Sequence, residues 1–128
     1  MYNQYPVNYY NVTPYVQNYS DYRLPNYQVL QTVQNCEAVC EYTKSEILKS
    51  GHSRPKQIRL LSDCAHICGL TAKYIASDSQ FSKRLANLCA HICEVCGNHC
   101  LSHPDELSRA CGQICLNCAR ECREYATA

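Results

Sequence analysis

The chain has 128 residues and a formal charge of +1, from 12 Lys and Arg against 11 Asp and Glu. That length suits one domain, and that balance supplies no field to draw the chain to nucleic acid or to an anionic membrane surface. The outlying number is twelve cysteines.

Residues 1–28 differ from the rest. They hold eight of the eleven tyrosines and three prolines (Pro6, Pro14, Pro25), and their only charges are Asp21 and Arg23. No apolar period of either kind runs through them. A segment that buries so little surface does not offset its ordering entropy, so the expectation is a disordered tail at 1–28 followed by a metal-binding domain at 29–126. Its first residues, MYNQYPVNYY, have neither the basic start nor the apolar stretch of a secretory signal. The chain therefore reads as cytoplasmic. In a reducing cytosol this density of cysteine points to metal before disulfide. The tyrosines suit contact surfaces, and the tail's composition resembles that of self-associating layers such as a spore coat, the second location the sequence suggests.

From Val29 onward the apolar period is helical, and four helices of about 22 residues follow one another. The first runs from Val29 to Lys49 and stops near Gly51. The second starts near Ser53 with Pro55 in its first turn and runs to Ala76. Ser77, Asp78 and Ser79 offer caps for a third helix ending at Leu101. In SHPDE, Ser102 or His103 caps the fourth, Pro104 takes its first position, and Asp105 and Glu106 suit the helix dipole. That helix runs to Tyr125. No apolar run approaches the roughly 20 residues that cross a bilayer. Short connections make neighbours antiparallel, which gives an all-α, up-down-up-down four-helix bundle.

Each helix points a stripe inward in steps of four and three. The stripes read Val29, Val33, Cys36, Cys40, Thr43, Ile47; then Gln57, Leu61, Cys64, Cys68, Thr71, Ile75; then Leu85, Cys89, Cys93, Cys96, Cys100; then Leu107, Cys111, Cys115, Cys118, Cys122, Tyr125. Sulfur stands where a bundle helix normally carries leucine. Antiparallel packing sorts the thiols by height, with Cys36, Cys68, Cys89 and Cys118 at one level and Cys40, Cys64, Cys93 and Cys115 a turn further along. Cys96, Cys100 and Cys111 continue towards the loops at 50–54 and 102–104, and Cys122 lies towards the opposite end. The expected interior is a column of sulfur.

Same-face residues four apart have Cβ atoms about 5–6 Å apart. Two metal–sulfur bonds of roughly 2.3 Å bridge such a pair without unwinding the helix. Thiolates in an apolar shell select soft ions, Cu(I) above all. Binding displaces thiol protons. One or two buried cysteines are ordinary packing residues, but twelve confined to the inward stripes are not. Zinc ribbons place CxxC in knuckles between strands, whereas Cys93–Cys96 and Cys115–Cys118 lie mid-helix. The four-three-four steps also differ from ferredoxin spacing. Zinc or an iron–sulfur cluster in the same thiols stays as an alternative. So does a structural assembly protein cross-linked through cysteine or the tyrosine tail. No nucleophile–base pair or carboxylate dyad stands out, so no enzymatic role is expected. His66 and His91 fall about 200° from a stripe cysteine and face outward. His103 continues the third stripe beyond Cys100 as a thirteenth candidate ligand, and with His99 and His52 it forms a possible ring where ions come in.

Residues 29–126 resemble the bacterial Cys-rich four-helix-bundle copper storage proteins of the cytosolic type. The features that carry the resemblance are the CxxxC pair on every helix, CAHIC at 64–68 and 89–93, and the runs CAHICEVCGNHC and CGQICLNCAREC. The resemblance implies several Cu(I) ions per chain held by Cys36, Cys40, Cys64, Cys68, Cys89, Cys93, Cys96, Cys100, Cys111, Cys115, Cys118 and Cys122. It also implies a homotetramer. A copper donor or acceptor protein is a further expected partner. Thr43, Ile47, Thr71 and Ile75 stand where further cysteines fit, which lowers the expected capacity. The tyrosine-rich tail lies outside the family core.

Overall fold

The structure, a computed structural model, describes residues 24–128. Most of the tail assigned to 1–28 therefore lies outside the described residues. Four helices follow in order: α1 (Tyr27–Ser50), α2 (Pro55–Ala76), α3 (Ser82–Leu101) and α4 (Glu106–Thr127). Each packs on its sequence neighbour, and α4 closes the ring against α1. This is the expected antiparallel bundle, in which three short connections leave no other pairing.

The helix ends show where local chemistry won. Pro55 opens α2 as expected, and Gly51 ends α1 at φ 80, a left-handed position that suits glycine. α1 begins at Tyr27, two residues before the expected Val29, with Asn26 at φ 60 as its leading residue. Before α3, the Ser79 hydroxyl accepts from the Phe81 amide at 3.1 Å, so the serine tightens the turn and Phe81 takes the cap position. For α4 the expected cap is corrected. Asp105, not Ser102 or His103, is the N-cap, its carboxylate accepting from the Ser108 amide at 3.1 Å. Pro104 places its ring one residue before the cap, and an aspartate accepts more strongly there than a serine or histidine.

The core follows the stripes. All twelve cysteines are fully buried, with Val33, Leu61, Ile75, Leu30 and Ile47 filling the ends. Three stripe positions shift. Leu85, Leu107 and Tyr125 are only half-buried, and Ser82, Ala86 and Ser108 take inward places. Small residues there let α3 and α4 approach closely. A Cβ on Gly97 would lie 2.9 Å from the Gly112 carbonyl oxygen, and one on Gly112 would lie 2.9 Å from that of Gly97. A Cβ on Gly69 instead meets only the Glu37 side chain, at 2.6 Å. Between helices, Arg123 pairs with Glu94 at 2.6 Å and Thr32 donates to Glu121 at 3.0 Å.

These two glycine environments differ in what can yield. At Gly97 the obstacle is backbone, while at Gly69 it is a mobile carboxylate. Gly97→Ala is therefore expected to be less stable than Gly69→Ala by about 2 kcal/mol, since overpacking against backbone has no cheap relief. Urea melts of the two variants measure the difference.

Candidate metal centre

The stripes bring ten of the twelve thiols, all but Cys96 and Cys100, into one chain of contacts. Cys64 lies 3.4 Å from Cys93, Cys40 lies 3.5 Å from Cys115, and Cys68 lies 3.6 Å from Cys93 and 3.7 Å from Cys89. Cys36–Cys115, Cys40–Cys111, Cys64–Cys115 and Cys93–Cys118 each stand at 3.9 Å. Every cysteine is a free thiol, and these separations far exceed the roughly 2.05 Å of a disulfide. They suit a shared metal. Three sulfurs around one ion at about 2.3 Å stand about 4.0 Å apart, and four stand about 3.8 Å apart.

Three groups hold their sulfurs within 4.8 Å of one another: Cys36, Cys68, Cys93 and Cys118; Cys36, Cys40, Cys64 and Cys115; and Cys89, Cys118 and Cys122. The flat layers expected from helix register are corrected here. Cys93 joins Cys36, Cys68 and Cys118, and Cys89 moves to the end with Cys122. The reason is side-chain direction. Each Cα–Cβ bond tilts towards its own helix N-terminus, so sulfurs on antiparallel helices lean in opposite senses. Equal Cα heights then become staggered sulfur heights, and Cys36 and Cys118 each serve two groups.

Burial pushes the thiols towards the protonated form. For some of them a neighbouring S–H works the other way. Cys115 holds Cys36 below the usual thiol range, Cys118 does so for Cys89, and Cys100 for Cys111. Cys100 and then Cys115 lower Cys96 to about 5. Their partners move up, Cys40 chiefly through Cys111 and Cys93 chiefly through Cys118. Among the described residues the core holds no charged side chain; its polar members are Thr43, Gln57, Thr71, Ser82 and Ser108.

A polar lid that the stripe pattern only hinted at covers the loop end. Fully buried Gln57 donates to Cys100 Sγ at 3.5 Å and to the Ser108 hydroxyl at 2.9 Å. Arg54 reaches over them, donating to Asp105 at 2.8 Å and to the Gln57 oxygen at 3.3 Å. Gln57 was on the second stripe, but nothing in its spacing foretold Arg54, Asp105 and Ser108. The signal was the aspartate and serine three apart at the start of α4. His103 stands edge-on to His99 with ring centres 5.2 Å apart, and its Nε2 is buried without a hydrogen-bond partner. Burial, then His103 and Lys56, depress the His99 pKa. No histidine nitrogen enters the three sulfur groups. His52 is exposed and bonded to Ser50 at 3.2 Å, beside Ile47 and Arg54 rather than His99. His66 and His91 are exposed, as expected.

Fold and site together define a class: a helical bundle whose core is a reduced thiol column sized for soft metal ions. Comparison with known proteins agrees. The profile of the copper storage protein family matches residues 24–127, and the chain belongs to that family. It is 37% identical over 94 residues, 72% of this chain and 87% of the relative, to the uncharacterized cysteine-rich protein YhjQ of Bacillus subtilis. It is similar to the Cu(I)-bound copper storage protein BsCsp3, with TM-score 0.71 and 34% identity over 77% of this chain and 95% of that one. The apo form of copper storage protein 3 from Bacillus subtilis gives TM-score 0.74 and 35% identity, over 77% and 96%.

The lid carries a pH dependence of stability. Burial works against the Asp105 charge, but bonds from Ser108 and Arg54 outweigh it and hold the carboxyl at about 2. A group depressed in the fold adds stability above its unfolded value near 4, and that stability is lost as pH falls towards 2. Asp105→Asn keeps a capping oxygen without the charge. Its metal-free melting temperature should fall less steeply than that of the wild type between pH 5 and pH 2.5, read by circular dichroism.

Proposed function

We propose that this protein stores several Cu(I) ions per chain inside the bundle, on thiolates of the twelve cysteines. The observation that carries the reading is the sulfur chain itself, continuous at contact distances and fully buried. Membership of the copper storage family supports the metal, and the buried sulfur groups support more than one ion. A column with no exposed sulfur admits an ion but not a molecular substrate, which favours storage over catalysis. His103, with an unpartnered nitrogen at the loop end, is the proposed outermost ligand, taking ions before Cys100 and Cys96. Residues 1–23 are proposed as an extension outside the storage body, and the cytoplasm as the place where twelve thiols stay reduced. No helix of the described residues is long and apolar enough to cross a membrane.

Association with further copies fits the surface of α3. Phe81, Leu88 and Val95 follow one another at seven-residue intervals and are 50%, 48% and 42% exposed. A row of that period is the seam along which helices pair. A copper donor or acceptor protein is proposed to meet the loop end, next to His103.

Charge balance sharpens the test. With no buried cation among the described residues, a thiolate column is neutralised only by the ions it takes up. Each Cu(I) bound should therefore release about one proton. Anaerobic titration with Cu(I) against a competing chelator, followed with a pH indicator, reads capacity and protons together. Changing the eight cysteines of α3 and α4 to serine should remove most of the capacity. Retention of it would overturn the assignment.

Cargo should also hold the fold. An ion bound only by the native state stabilises it by mass action, by about 4 kcal/mol at a thousandfold excess over its dissociation constant. The metal-free protein is expected to melt well below the loaded one under anaerobic conditions. Equal melting temperatures would count against storage.

A further inference from the structure

Two hydroxyls in the core have no partner. Thr43 and Thr71 are fully buried, and neither Oγ1 makes a hydrogen bond. A threonine in a helix has an easy remedy, because its hydroxyl can turn back to the carbonyl three or four residues earlier. Thr127 of this chain does so, donating to the Arg123 carbonyl at 2.9 Å and to that of Glu124 at 3.3 Å. Thr43 and Thr71 do not. Their hydroxyls stay in a core where an unpaired polar atom is costly.

Their places are equivalent. In α1 the order is Cys36, Cys40, Thr43, Ile47, and in α2 it is Cys64, Cys68, Thr71, Ile75, at the same steps. α1 and α2 run in opposite directions, so the two threonines bracket the column. Thr43 comes one turn after Cys40, whose sulfur is 3.9 Å from Cys111 at the loop end. Thr71 comes one turn after Cys68, whose sulfur is 3.7 Å from Cys89 at the other end. α3 and α4 carry four cysteines each, whereas α1 has none after Cys40 and α2 none after Cys68.

We propose that Thr43 and Thr71 are hydrogen-bond donors kept for the loaded state, Thr43 for the copper-bound thiolate of Cys111 and Thr71 for that of Cys89. They are positioning residues, acting on copper through sulfur. This rests on the storage function above. A thiol is a weak acceptor; a thiolate accepts strongly. Loading therefore converts an unfavourable buried hydroxyl into a charge-assisted bond, and each end of the column gains a donor where a further sulfur is missing. Valine in its place would suit the metal-free core and not the loaded one.

The test uses the full chain with Thr43→Val, Thr71→Val and both together, Thr43→Ser as the conservative control, and Cu(I) alone as the probe. Valine keeps the shape and removes the donor. The metal-free melting temperature of each valine variant should rise, while its affinity for the last Cu(I) ions bound falls about tenfold. Thr43→Ser should retain near wild-type affinity. Opposite signs in the two measurements support the proposal. Unchanged Cu(I) affinity, or a metal-free protein destabilised by valine, would overturn it. Failure of the wild type itself to take up Cu(I) would instead overturn the storage function, so the two are separable.

Discussion

Charge governs this core. Twelve thiols share a space that holds no charged side chain among the described residues, and a low-dielectric interior does not tolerate unbalanced ions. The neutral metal-free state therefore keeps its protons, shared along S–H···S contacts. The metal-bound state must match each positive charge with a thiolate. A monovalent soft ion meets that condition one thiol at a time. It also allows sulfurs such as Cys36 and Cys118, each common to two groups, to bridge neighbouring ions. A divalent ion would consume two thiolates at every step and draw on fewer of the shared contacts.

The same composition shapes the stability of the bundle. A thiol buries less apolar surface than leucine, so the column contributes less to folding than the core of an ordinary bundle of this length. The sequence compensates at the ends, where Leu30, Val33, Leu61, Ile47 and Ile75 are buried, and by close approach of α3 and α4 at Gly97 and Gly112. That approach has a functional consequence. It brings together the two helices with four cysteines each, so their sulfurs reach across the seam while α1 and α2 cover the open side. Fold and cargo are thermodynamically linked because the site is the core.

Spacing made the column legible. Steps of four and three put every cysteine on an inward arc, and burial follows for all twelve. Register was a weaker guide. It fixed which residues point inward but not how their side chains lean, and so Cys93 and Cys89 fell into the wrong layers. At the loop end the apolar pattern favoured Leu107, whereas Ser108 goes inside because Gln57 needs a partner there. A hydrogen bond between residues 51 apart leaves no periodic trace in the sequence. The cap of α4 was misplaced for a related reason: Ser102 and His103 have capping side chains, but only Asp105 also has Arg54 to hold it. The silent Thr43 and Thr71 hydroxyls were visible only as interruptions of a cysteine stripe. That they lack partners is a fact of three dimensions.

The two ends of the column are chemically unlike, and this gives the bundle a direction. At the turn end, Leu30, Val33, Ile75 and Ala86 close over Cys89 and Cys122, with a Ser82–Tyr125 hydroxyl bond at 2.8 Å outside them. An ion arriving there would have to shed its water against apolar groups that offer nothing in return. At the loop end, the Gln57 side chain touches Cys100, Ser108 lies beside it, and the His103 nitrogen is free of other bonds. Ligand exchange at such an end can proceed one donor at a time, from nitrogen or oxygen to sulfur, without a bare ion in between. The entry proposed at that end needs no moving part. It follows from where the chain spends its few buried polar groups, and the softer ligands beyond them then draw the ion inward.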